Sequence, residues 1–323
     1  MKAALRKSYG PPEIIQVTDV ESPSHGSNEV LVKVFATTVN RTDCANLTAK
    51  PFLMRLILGF LRPKKVILGT DFAGEVVGVG KEVKTFKLKD RLIGFNDLGY
   101  ESQAEYLTIP EDGNILKIPP NTDYAKAVAS IEGAHYAYTF IHKTKIKAGN
   151  KILINGATGA IGSALLQFVK KFDVFITATC NTKNVELVRS LGADRIIDYS
   201  KEDFTKDLEK YDFVFDAVGK STFGKCKSIL NKGGVYISSE LGPFAQNLVF
   251  ALMTPILGGK QVIFPIPFPI KRTMPYILNL LKKEIFNPVI DRVYKLNDID
   301  KAYEYALSGE KTGNIIIKIA EEE

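Results

Sequence analysis

The chain has 323 residues, of which 45% are hydrophobic and 24% are charged, and these values exclude a wholly disordered protein. This length exceeds one ordinary hydrophobic core and predicts two domains. The net charge of +7 is spread along the chain, so it indicates neither nucleic acid nor a membrane as the partner. Three widely spaced cysteines, Cys44, Cys180 and Cys226, argue against a disulfide framework and fit a reducing compartment such as the cytoplasm.

The first part of the chain, residues 1–121, has mainly β-strand patterns. Val30, Val32 and Val34 alternate with less apolar residues, so they predict one buried face of a strand. The segment 74–80 combines β-branched residues with glycines, which indicates a bent strand in a small barrel.

An apolar insertion at 51–61 interrupts these strands and is long enough for about three helical turns. It could form an ordinary core helix, a lid over a substrate pocket or a surface that binds a partner. Within it, Phe52 and Phe60 are candidates for a hydrophobic substrate pocket.

Strand and helix patterns alternate between residues 122 and 265, and this alternation predicts a doubly wound parallel sheet of the α/β class. The predicted strands are 151–155, 174–178, 195–199, 213–216, 235–238 and an edge strand at 260–264. One predicted helix begins at 160. Three further helices are predicted at 185–191, 203–210 and 223–230, and two glycines at 233 and 234 are predicted to end the last of them.

The most apolar stretch of the chain, 244–270, contains four prolines and adjacent glycines. A membrane helix would tolerate those residues poorly, so we interpret the stretch as buried protein interior. The remainder, 266–323, ends in a strand pattern and is predicted to fold back onto the first part.

A glycine-rich turn follows the strand 151–155 and opens the next helix, in the order Gly156-Ala157-Thr158-Gly159-Ala160-Ile161-Gly162. Strand, glycine turn and helix in this order are typical of a dinucleotide-binding site. Backbone N–H groups at such a helix start bind a pyrophosphate. We therefore predict cofactor contacts from Thr158, Gly159, Ala160 and Ile161.

The next strand ends in Thr179-Cys180-Asn181-Thr182-Lys183, without the acidic residue that would accept hydrogen bonds from a ribose 2′-hydroxyl. Polar side chains and a lysine suit a 2′-phosphate instead. This pattern favours NADPH over NADH and makes Cys180, Asn181 and Lys183 candidate contacts, although Asn181 and Thr182 also suit a helix cap.

With these residues in view, the chain resembles the medium-chain dehydrogenase/reductase superfamily along its whole length. The matching segments are ATTVNRTD (36–43), LGTDFAGEV (68–76), DRLIG (90–94), the glycine turn and LGAD (191–194). The resemblance implies a GroES-like catalytic domain over 1–121 and 266–323, with a Rossmann domain over 122–265. It also implies cofactor contacts from Tyr199, Val218 and Leu241.

Zinc enzymes of this superfamily carry metal ligands where this chain has Asn40, Thr70 and Glu132. Amide, hydroxyl and carboxylate make a poor site for Zn²⁺, which prefers thiolate and imidazole. The resemblance is therefore closest to the zinc-free, zeta-crystallin-like quinone oxidoreductase branch. That branch implies hydride transfer from NADPH to a quinone or to the activated double bond of an enone or enal.

In this branch Asn40 and Asp43 line the nicotinamide pocket, so the resemblance makes them candidate catalytic residues. Asn40 could bind the substrate oxygen and Asp43 could hold Asn40, although both residues also suit the cap of a helix. Glu132 and His135 are candidate pocket residues and proton donors, although a histidine that is followed by tyrosines at 136 and 138 is more often structural.

The family also implies a homodimer, formed when the edge strand near Lys260 to Phe264 pairs with its copy. Two other functions stay open from the sequence. One is a zeta-crystallin-like NADPH-binding protein with a structural or RNA-binding role, for which no RNA module is visible. The other is an NAD(P)-dependent alcohol dehydrogenase.

Overall fold

The computed structural model describes residues 1–321, which form two compact units. The terminal unit contains Met1–Glu132 and the chain from Ile270 onward, and the central unit contains Gly133–Pro269. These units divide after residues 132 and 269, whereas the sequence predicts domain boundaries after 121 and 265. The first difference arises because the helix at Tyr124–Ala129 packs on strands of the terminal unit.

The strands, in chain order, are β1 (Lys2–Leu5), β2 (Gln16–Asp19), β3 (Glu29–Val39), β4 (Asp71–Val79), β5 (Arg91–Phe95), β6 (Tyr106–Pro110), β7 (Ile115–Lys117), β8 (Lys151–Asn155), β9 (Phe175–Cys180), β10 (Arg195–Asp198), β11 (Tyr211–Asp216), β12 (Leu230–Ser238), β13 (Gln261–Ile263), β14 (Ile290–Lys295) and β15 (Asn314–Lys318). The α-helices are α1 (Arg41–Thr48), α2 (Met54–Leu58), α3 (Tyr124–Ala129), α4 (Glu132–His142), α5 (Ala160–Val169), α6 (Val185–Ser190), α7 (Phe223–Cys226), α8 (Gln246–Leu257), α9 (Ile270–Lys282) and α10 (Ile299–Ser308).

The terminal unit is built on a seven-stranded sheet in the order β14-β15-β3-β4-β5-β7, with β6 also paired to β3. The predicted strand face is confirmed, because Val30, Val32 and Val34 are fully buried in one apolar cluster with Phe72. The tail folds back as predicted, since β15 pairs antiparallel with β3 and Ile315 lies opposite Val39. That pairing brings the loop before β15 close to the end of β3.

The central unit contains a six-stranded parallel sheet in the order β10-β9-β8-β11-β12-β13. This order confirms the predicted doubly wound sheet. The chain runs outward from β8 to β10 and then returns to the other side of β8 with β11. The carboxyl ends of β8 and β11 therefore meet where the strand order reverses, which is the place where such sheets bind ligands.

The predicted three-turn helix at 51–61 is wrong in extent, because α2 covers only Met54–Leu58. Gly59 ends it with a φ of +122°, a conformation open to glycine and strained for other residues. The alternative of an ordinary core helix is also wrong. The large apolar side chains of this segment are mostly exposed, and Leu58 is the buried one.

The predicted helix at 203–210 is replaced by one short 3-10 turn at Phe204–Lys206. The Asp203 side chain accepts a hydrogen bond from the backbone N–H of Thr205, a local turn that competes with helix formation. Asp207 then turns away to bind Arg195 and Tyr211. The sequence also predicts that the glycines at 233 and 234 end the helix at 223–230. This prediction is wrong, because both glycines lie inside β12.

The interpretation of 244–270 as buried interior is wrong for most of its length. Phe244 is fully exposed, and Leu252, Ile256 and Leu257 on α8 are each more than 70% exposed. Of the helices within residues 1–321, none combines the length and apolarity that crossing a bilayer would require.

Candidate functional site

The glycine-rich turn joins β8 to α5, and its glycines have different packing roles. Gly156 has a φ of +78°, and a Cβ atom there would lie 2.3 Å from a methyl carbon of Val218. A Cβ atom on Gly162 would lie 2.1 Å from the carbonyl oxygen of Gly156, so Gly162 allows α5 to pack closely. At Gly159 the nearest atom to an added Cβ would be 3.7 Å away. An added Cβ at Gly159 would therefore make only an ordinary van der Waals contact, and Gly159 lies next to the N–H groups that open α5.

The predicted contacts of the glycine turn lie together at this position. Thr158, Gly159, Ala160 and Ile161 are consecutive and all partly exposed, whereas Ala157 is fully buried. Val218 follows β11 and Leu241 follows β12, and both are partly exposed. They therefore lie beyond the carboxyl ends of the neighbouring strands, where a nucleotide would extend from the turn.

A buried hydrogen-bond network, here called the Asp216 network, connects the ends of neighbouring strands to the glycine turn. The Asp216 carboxylate accepts hydrogen bonds from the Asn155 side chain at 2.9 Å, the Tyr236 hydroxyl at 2.9 Å and the backbone N–H groups of Gly219 and Ser221 at 3.0 and 3.1 Å. Asn155 in turn accepts from the Thr179 hydroxyl at 2.8 Å. Thr179 accepts a hydrogen bond from the Gly156 backbone N–H at 3.0 Å, so the network reaches the turn itself.

The predicted contacts for the adenosine end differ in accessibility. Lys183 and Tyr199 are exposed and Asn181 is partly exposed, so these side chains can reach a ligand. Cys180 is fully buried, and burial raises the pKa of its thiol to about 11. A contact between Cys180 and a ligand would therefore have to come from its backbone, because the side chain is buried.

The sequence reading missed one acid in this region, Asp198 at the end of β10. Its carboxylate accepts a hydrogen bond from the Thr182 hydroxyl at 2.5 Å and one from the Ser200 backbone at 3.0 Å. It also forms an ion pair with Lys201 at 3.3 Å. Because both oxygens are engaged, Asp198 acts as a structural acid around Thr182.

A second polar group, here called the Asn40 cluster, lies in the terminal unit and comprises Asn40, Asp43, Thr70, Glu132 and Lys311. The Asn40 side-chain oxygen accepts a hydrogen bond from Lys311 Nζ at 2.6 Å. The Asn40 side-chain amide donates to the Thr38 hydroxyl at 2.9 Å. Both functional atoms of Asn40 are thus held in fixed directions at the start of α1.

Asp43 connects α1 to the beginning of β4 and is almost fully buried. One carboxylate oxygen accepts the Asn40 backbone N–H at 2.9 Å. The other accepts both the backbone N–H and the hydroxyl of Thr70, at 3.1 and 3.0 Å. Burial raises the pKa of Asp43 well above its usual value, and the nearby Glu132 and Asp71 carboxyl groups add to the rise. Asp43 therefore positions Asn40 and has little surface for a substrate.

Glu132 begins α4, and its two carboxylate oxygens differ in their hydrogen bonding. Its Oε1 accepts a hydrogen bond from the Thr42 hydroxyl at 2.7 Å. Its Oε2 is buried and has no hydrogen-bond partner among residues 1–321. Burial raises the pKa of Glu132 to about 7, which places its proton in the range that general acids use.

Lys311 precedes β15 and is the cluster member that the sequence reading missed. Burial lowers the pKa of its ammonium group, while the charges of Glu132, Cys44 and Asp43 oppose this change. Nζ donates to Asn40 and to the Gly313 carbonyl oxygen at 3.0 Å, and an ammonium group has three N–H donors. The strand pattern at the tail was the available signal, because antiparallel pairing with β3 brings this loop beside Asn40.

The other predicted pocket residues, Phe52, Phe60 and His135, differ from one another in exposure. Phe52 and Phe60 contact each other edge to face at 6.0 Å, and both are more than half exposed. Neither phenylalanine lines the cavity of about 250 Å³ to which Ile57 and Leu58 contribute. His135 is fully buried with its ring edge-on to Tyr136, and burial lowers its pKa to about 4. This environment fits the structural interpretation of His135.

A doubly wound sheet with an open glycine turn, in a chain whose other unit holds a cluster of amide, ammonium and carboxyl groups, defines a nucleotide-dependent oxidoreductase class. Comparisons with known proteins agree with this class. Residues 26–120 match the family model "Alcohol dehydrogenase GroES-like domain", and residues 191–317 match the model "Zinc-binding dehydrogenase".

Individual relatives match nearly the whole chain. The chain is 30% identical to a chloroplastic quinone-oxidoreductase of Triphysaria versicolor, over 98% of both proteins. It is 29% identical to a chloroplastic NADPH-dependent alkenal/one oxidoreductase of Arabidopsis thaliana, over 98% of this chain and 79% of the relative. Among solved structures, Escherichia coli quinone oxidoreductase in complex with NADPH has the same fold, with a TM-score of 0.83, 21% identity and coverage of 99% and 100%.

The chain belongs to the medium-chain dehydrogenase/reductase superfamily, among its quinone oxidoreductase-like members. This membership confirms the family and the fold that the sequence motifs predict.

Proposed function

We propose that this protein is an NADPH-dependent oxidoreductase that reduces quinones or the activated double bonds of enones and enals without zinc. The observation that carries the proposal is the hydrogen bond from Lys311 to Asn40, because it places an ammonium group beside a fixed amide in a buried, acid-rich cluster. The names of the Triphysaria and Arabidopsis relatives support this range of acceptors.

The central unit fits the cofactor. The missing side chain at Gly159 would let a pyrophosphate approach the backbone closely, and the helix start of α5 favours its charge. Asn181, Lys183 and Tyr199 would hold the adenosine end, with Lys183 available for a 2′-phosphate. Val218 and Leu241 would border the bound cofactor, which supplies the hydride.

The terminal unit fits the acceptor. Reduction of a quinone or an enone by hydride leaves negative charge on an acceptor oxygen, which then needs a proton. The remaining N–H of Lys311 would bind that oxygen. Asn40 would also donate to it by giving up its long hydrogen bond of 3.4 Å to the Asn314 side chain, while Asp43 and Thr38 keep Asn40 in place. The lowered pKa of Lys311 and the raised pKa of Glu132 both bring proton transfer closer to neutral pH.

The residues at the zinc-ligand positions do not fit Zn²⁺. Asn40 offers an amide oxygen that is already bonded to Lys311, and the Thr70 hydroxyl is bonded to Asp43. A neighbouring ammonium group also repels a divalent cation. We expect elemental analysis to find far less than one zinc per chain, and activity to survive treatment with a chelator.

We also propose a homodimer that forms through β13 and α8. In the described part of the chain, β13 pairs only with β12, so its other edge is open for a second copy. The exposed Leu252, Ile256 and Leu257 of α8 provide an uncharged apolar surface that belongs to the same unit. Analytical ultracentrifugation of an Ile256→Glu variant should then show a monomer.

The three buried, free cysteines support a reducing, cytoplasmic setting.

The decisive experiment is a titration of the protein with NADPH and with NADH, followed by oxidation of the preferred nucleotide against benzoquinone, phenanthrenequinone, cyclohexenone and hydroxynonenal. We expect tighter binding of NADPH and turnover with at least one acceptor class. Binding without turnover would favour a binding or structural role, and failure to bind either nucleotide would refute the proposal.

A glycine pair in the central unit provides the matched control. Gly159→Ala adds a methyl group that meets no atom closer than 3.7 Å, so the protein should fold and bind NADPH at least about tenfold more weakly. Gly224→Ala, on α7, also meets no atom closer than 3.9 Å and should leave affinity unchanged. Equal affinity in both variants would mean that the turn does not hold the cofactor.

A further inference from the structure

The segment 50–65 of the terminal unit, here called the docking segment, exposes an unusual amount of apolar surface. Six of its large side chains are at least 52% exposed: Phe52, Leu53, Leu56, Ile57, Phe60 and Leu61. Phe52 and Phe60 contact each other edge to face, and exposed apolar side chains that cluster on a folded protein generally mark an interaction site.

The docking segment is held in place by specific contacts. The Tyr9 hydroxyl donates to the Gly59 carbonyl oxygen at 2.7 Å, and the Lys64 backbone N–H donates to the Leu58 carbonyl oxygen at 2.8 Å. A Cβ atom on Gly59 would lie 2.1 Å from the Arg62 carbonyl oxygen, so the turn depends on glycine. The Arg55 guanidinium lies 5.0 Å from the centre of the Tyr9 ring. The fold therefore presents these apolar side chains outward in a defined conformation.

All charged residues of the docking segment are basic. It contains five basic residues, Lys50, Arg55, Arg62, Lys64 and Lys65, and no acidic residue occurs anywhere from Cys44 to Thr70. Lys50, Arg62 and Lys64 are exposed. A surface that combines apolar side chains with cations alone is complementary to an anionic surface that has an apolar interior.

The other exposed apolar surface of the protein differs in this respect. The stretch 244–259, which includes α8, has no charged residue. An uncharged apolar surface suits a second copy of the same chain, because no charge must be matched or repelled. Cations around the docking segment would instead repel one another across a two-fold axis.

We propose that the docking segment binds the surface of a membrane that contains anionic lipids. Its leucine and phenylalanine side chains would enter the boundary between headgroups and acyl chains, and its basic residues would contact the lipid phosphates and carboxylates. This binding is peripheral, so it agrees with the lack of a spanning helix within residues 1–321. It is an alternative to the predicted role of Phe52 and Phe60 in an acceptor pocket.

The experiment is co-sedimentation of the full chain with vesicles of phosphatidylcholine alone and with vesicles of equal parts phosphatidylcholine and phosphatidylserine. We expect binding to the anionic vesicles, weak binding to the neutral ones, and loss of binding as the salt concentration rises. Lack of binding to anionic vesicles at low salt would overturn the proposal.

Two triple variants separate the two contributions. Replacing Lys50, Arg62 and Lys64 with Gln should weaken binding to anionic vesicles about a hundredfold, since each cation contributes roughly fivefold. Replacing Leu53, Leu56 and Leu61 with Ser should weaken binding to both kinds of vesicle, by about tenfold or more on the anionic ones.

Matched controls come from the central unit. Lys145, Lys147 and Lys232 are exposed there and can be changed to Gln together, and the 92%-exposed Leu208 can be changed to Ser. These variants should bind vesicles as the unmodified protein does, and all variants should keep its thermal midpoint. Equal vesicle binding by the docking-segment variants would contradict the proposal. So would an oligomer that forms without lipid and dissociates when the three leucines are replaced, because the segment would then bind protein.

Discussion

Asp216 in the central unit and Glu132 in the terminal unit are both buried carboxyl groups, but their surroundings differ. Asp216 accepts four hydrogen bonds, two on each oxygen. Glu132 accepts one on Oε1, while its Oε2 has no partner within the described residues. A fully bonded carboxylate stabilises the fold around it, whereas a partly bonded one keeps a free energy penalty that ligand binding or protonation can relieve.

The two networks also differ in the role that we assign to their polar groups. The Asp216 network connects strand ends that must stay in register for the glycine turn to keep its shape. The Asn40 cluster contains Asp43, Glu132 and Lys311, whose pKa values are all shifted toward the neutral form by burial. We therefore assign the Asp216 network to stability and the Asn40 cluster to chemistry, and four experiments test this contrast.

The largest effect is expected for Asp216→Ala. This change leaves the Asn155 amide, the Tyr236 hydroxyl and two backbone N–H groups without their acceptor in the protein interior. Each buried donor that is left without an acceptor costs about 1 kcal/mol or more, so we expect the free energy of unfolding to fall by about 4 kcal/mol. Urea unfolding measures this, with Asp216→Asn as the isosteric comparison. A loss below about 1 kcal/mol would remove the structural role.

The second experiment follows the stability of Glu132→Gln against pH. The pKa of Glu132 rises from 4.5 to about 7 on folding, mainly through burial. Between these values the folded state binds more protons than the unfolded state. The stability conferred by the protonated group is therefore complete below the lower value and is lost as the pH rises through the upper one.

In the unmodified protein this loss amounts to roughly 3 kcal/mol across that window, and Asp71, Asp97 and Lys311 modify it through their charges. Urea unfolding at a series of pH values should show a flatter profile for Glu132→Gln. Glu304→Gln, an exposed change in the same unit, should follow the unmodified profile. Parallel profiles for all three proteins would show that Glu132 is not the titrating group.

Lys311→Met should reduce kcat/KM for the acceptor by about a hundredfold, which corresponds to loss of one charged hydrogen bond to the developing oxyanion. Affinity for NADPH should change little. The free energy of unfolding should fall modestly, because the Asn40 and Gly313 oxygens lose their donor while the cost of burying the ammonium group is also removed. The activity of the unmodified protein should also fall at high pH as Lys311 loses its proton, and the variant should lack that limb. Lys283→Met, an exposed change, is the control. Equal activity in both variants would refute the role of Lys311.

The smallest effect is expected for Tyr236→Phe, which removes one of the four donors to Asp216 and leaves the carboxylate with three. A single net hydrogen bond contributes about 1 kcal/mol, so urea unfolding should show a loss of that size. A loss as large as that of Asp216→Ala would indicate that the network is cooperative, and no loss would indicate that Tyr236 is dispensable to it.

The predictions from sequence succeeded where the signal was local. The strand face of Val30, Val32 and Val34 and the glycine turn after β8 depend on residues that are adjacent or nearly adjacent in the chain. They failed where distant contacts compete with local propensity. Arg195 and Tyr211 hold Asp207 outside the helix predicted at 203–210.

The candidate site follows the same division. Asn40 and Asp43 could be named from their motif, and the predicted cap is part of their role, since Asp43 accepts the Asn40 backbone N–H. Lys311 lies 271 residues from Asn40, and the strand pattern that follows it predicts β15 but not the strand with which β15 pairs. The accessible surface of a side chain also depends on the fold, which is why the sequence could name Cys180 as a contact but could not show that it is buried.

The sequence by itself determined the superfamily, the doubly wound sheet and the position of the glycine-rich turn, because glycine spacing and hydrophobic periodicity are local properties of the chain. Tertiary structure decided which polar groups share the Asn40 cluster and which apolar residues face outward. Hydrogen-bond satisfaction and burial depend on atoms brought together from distant parts of the chain, and the pairing of β15 with β3 supplies that contact for Lys311.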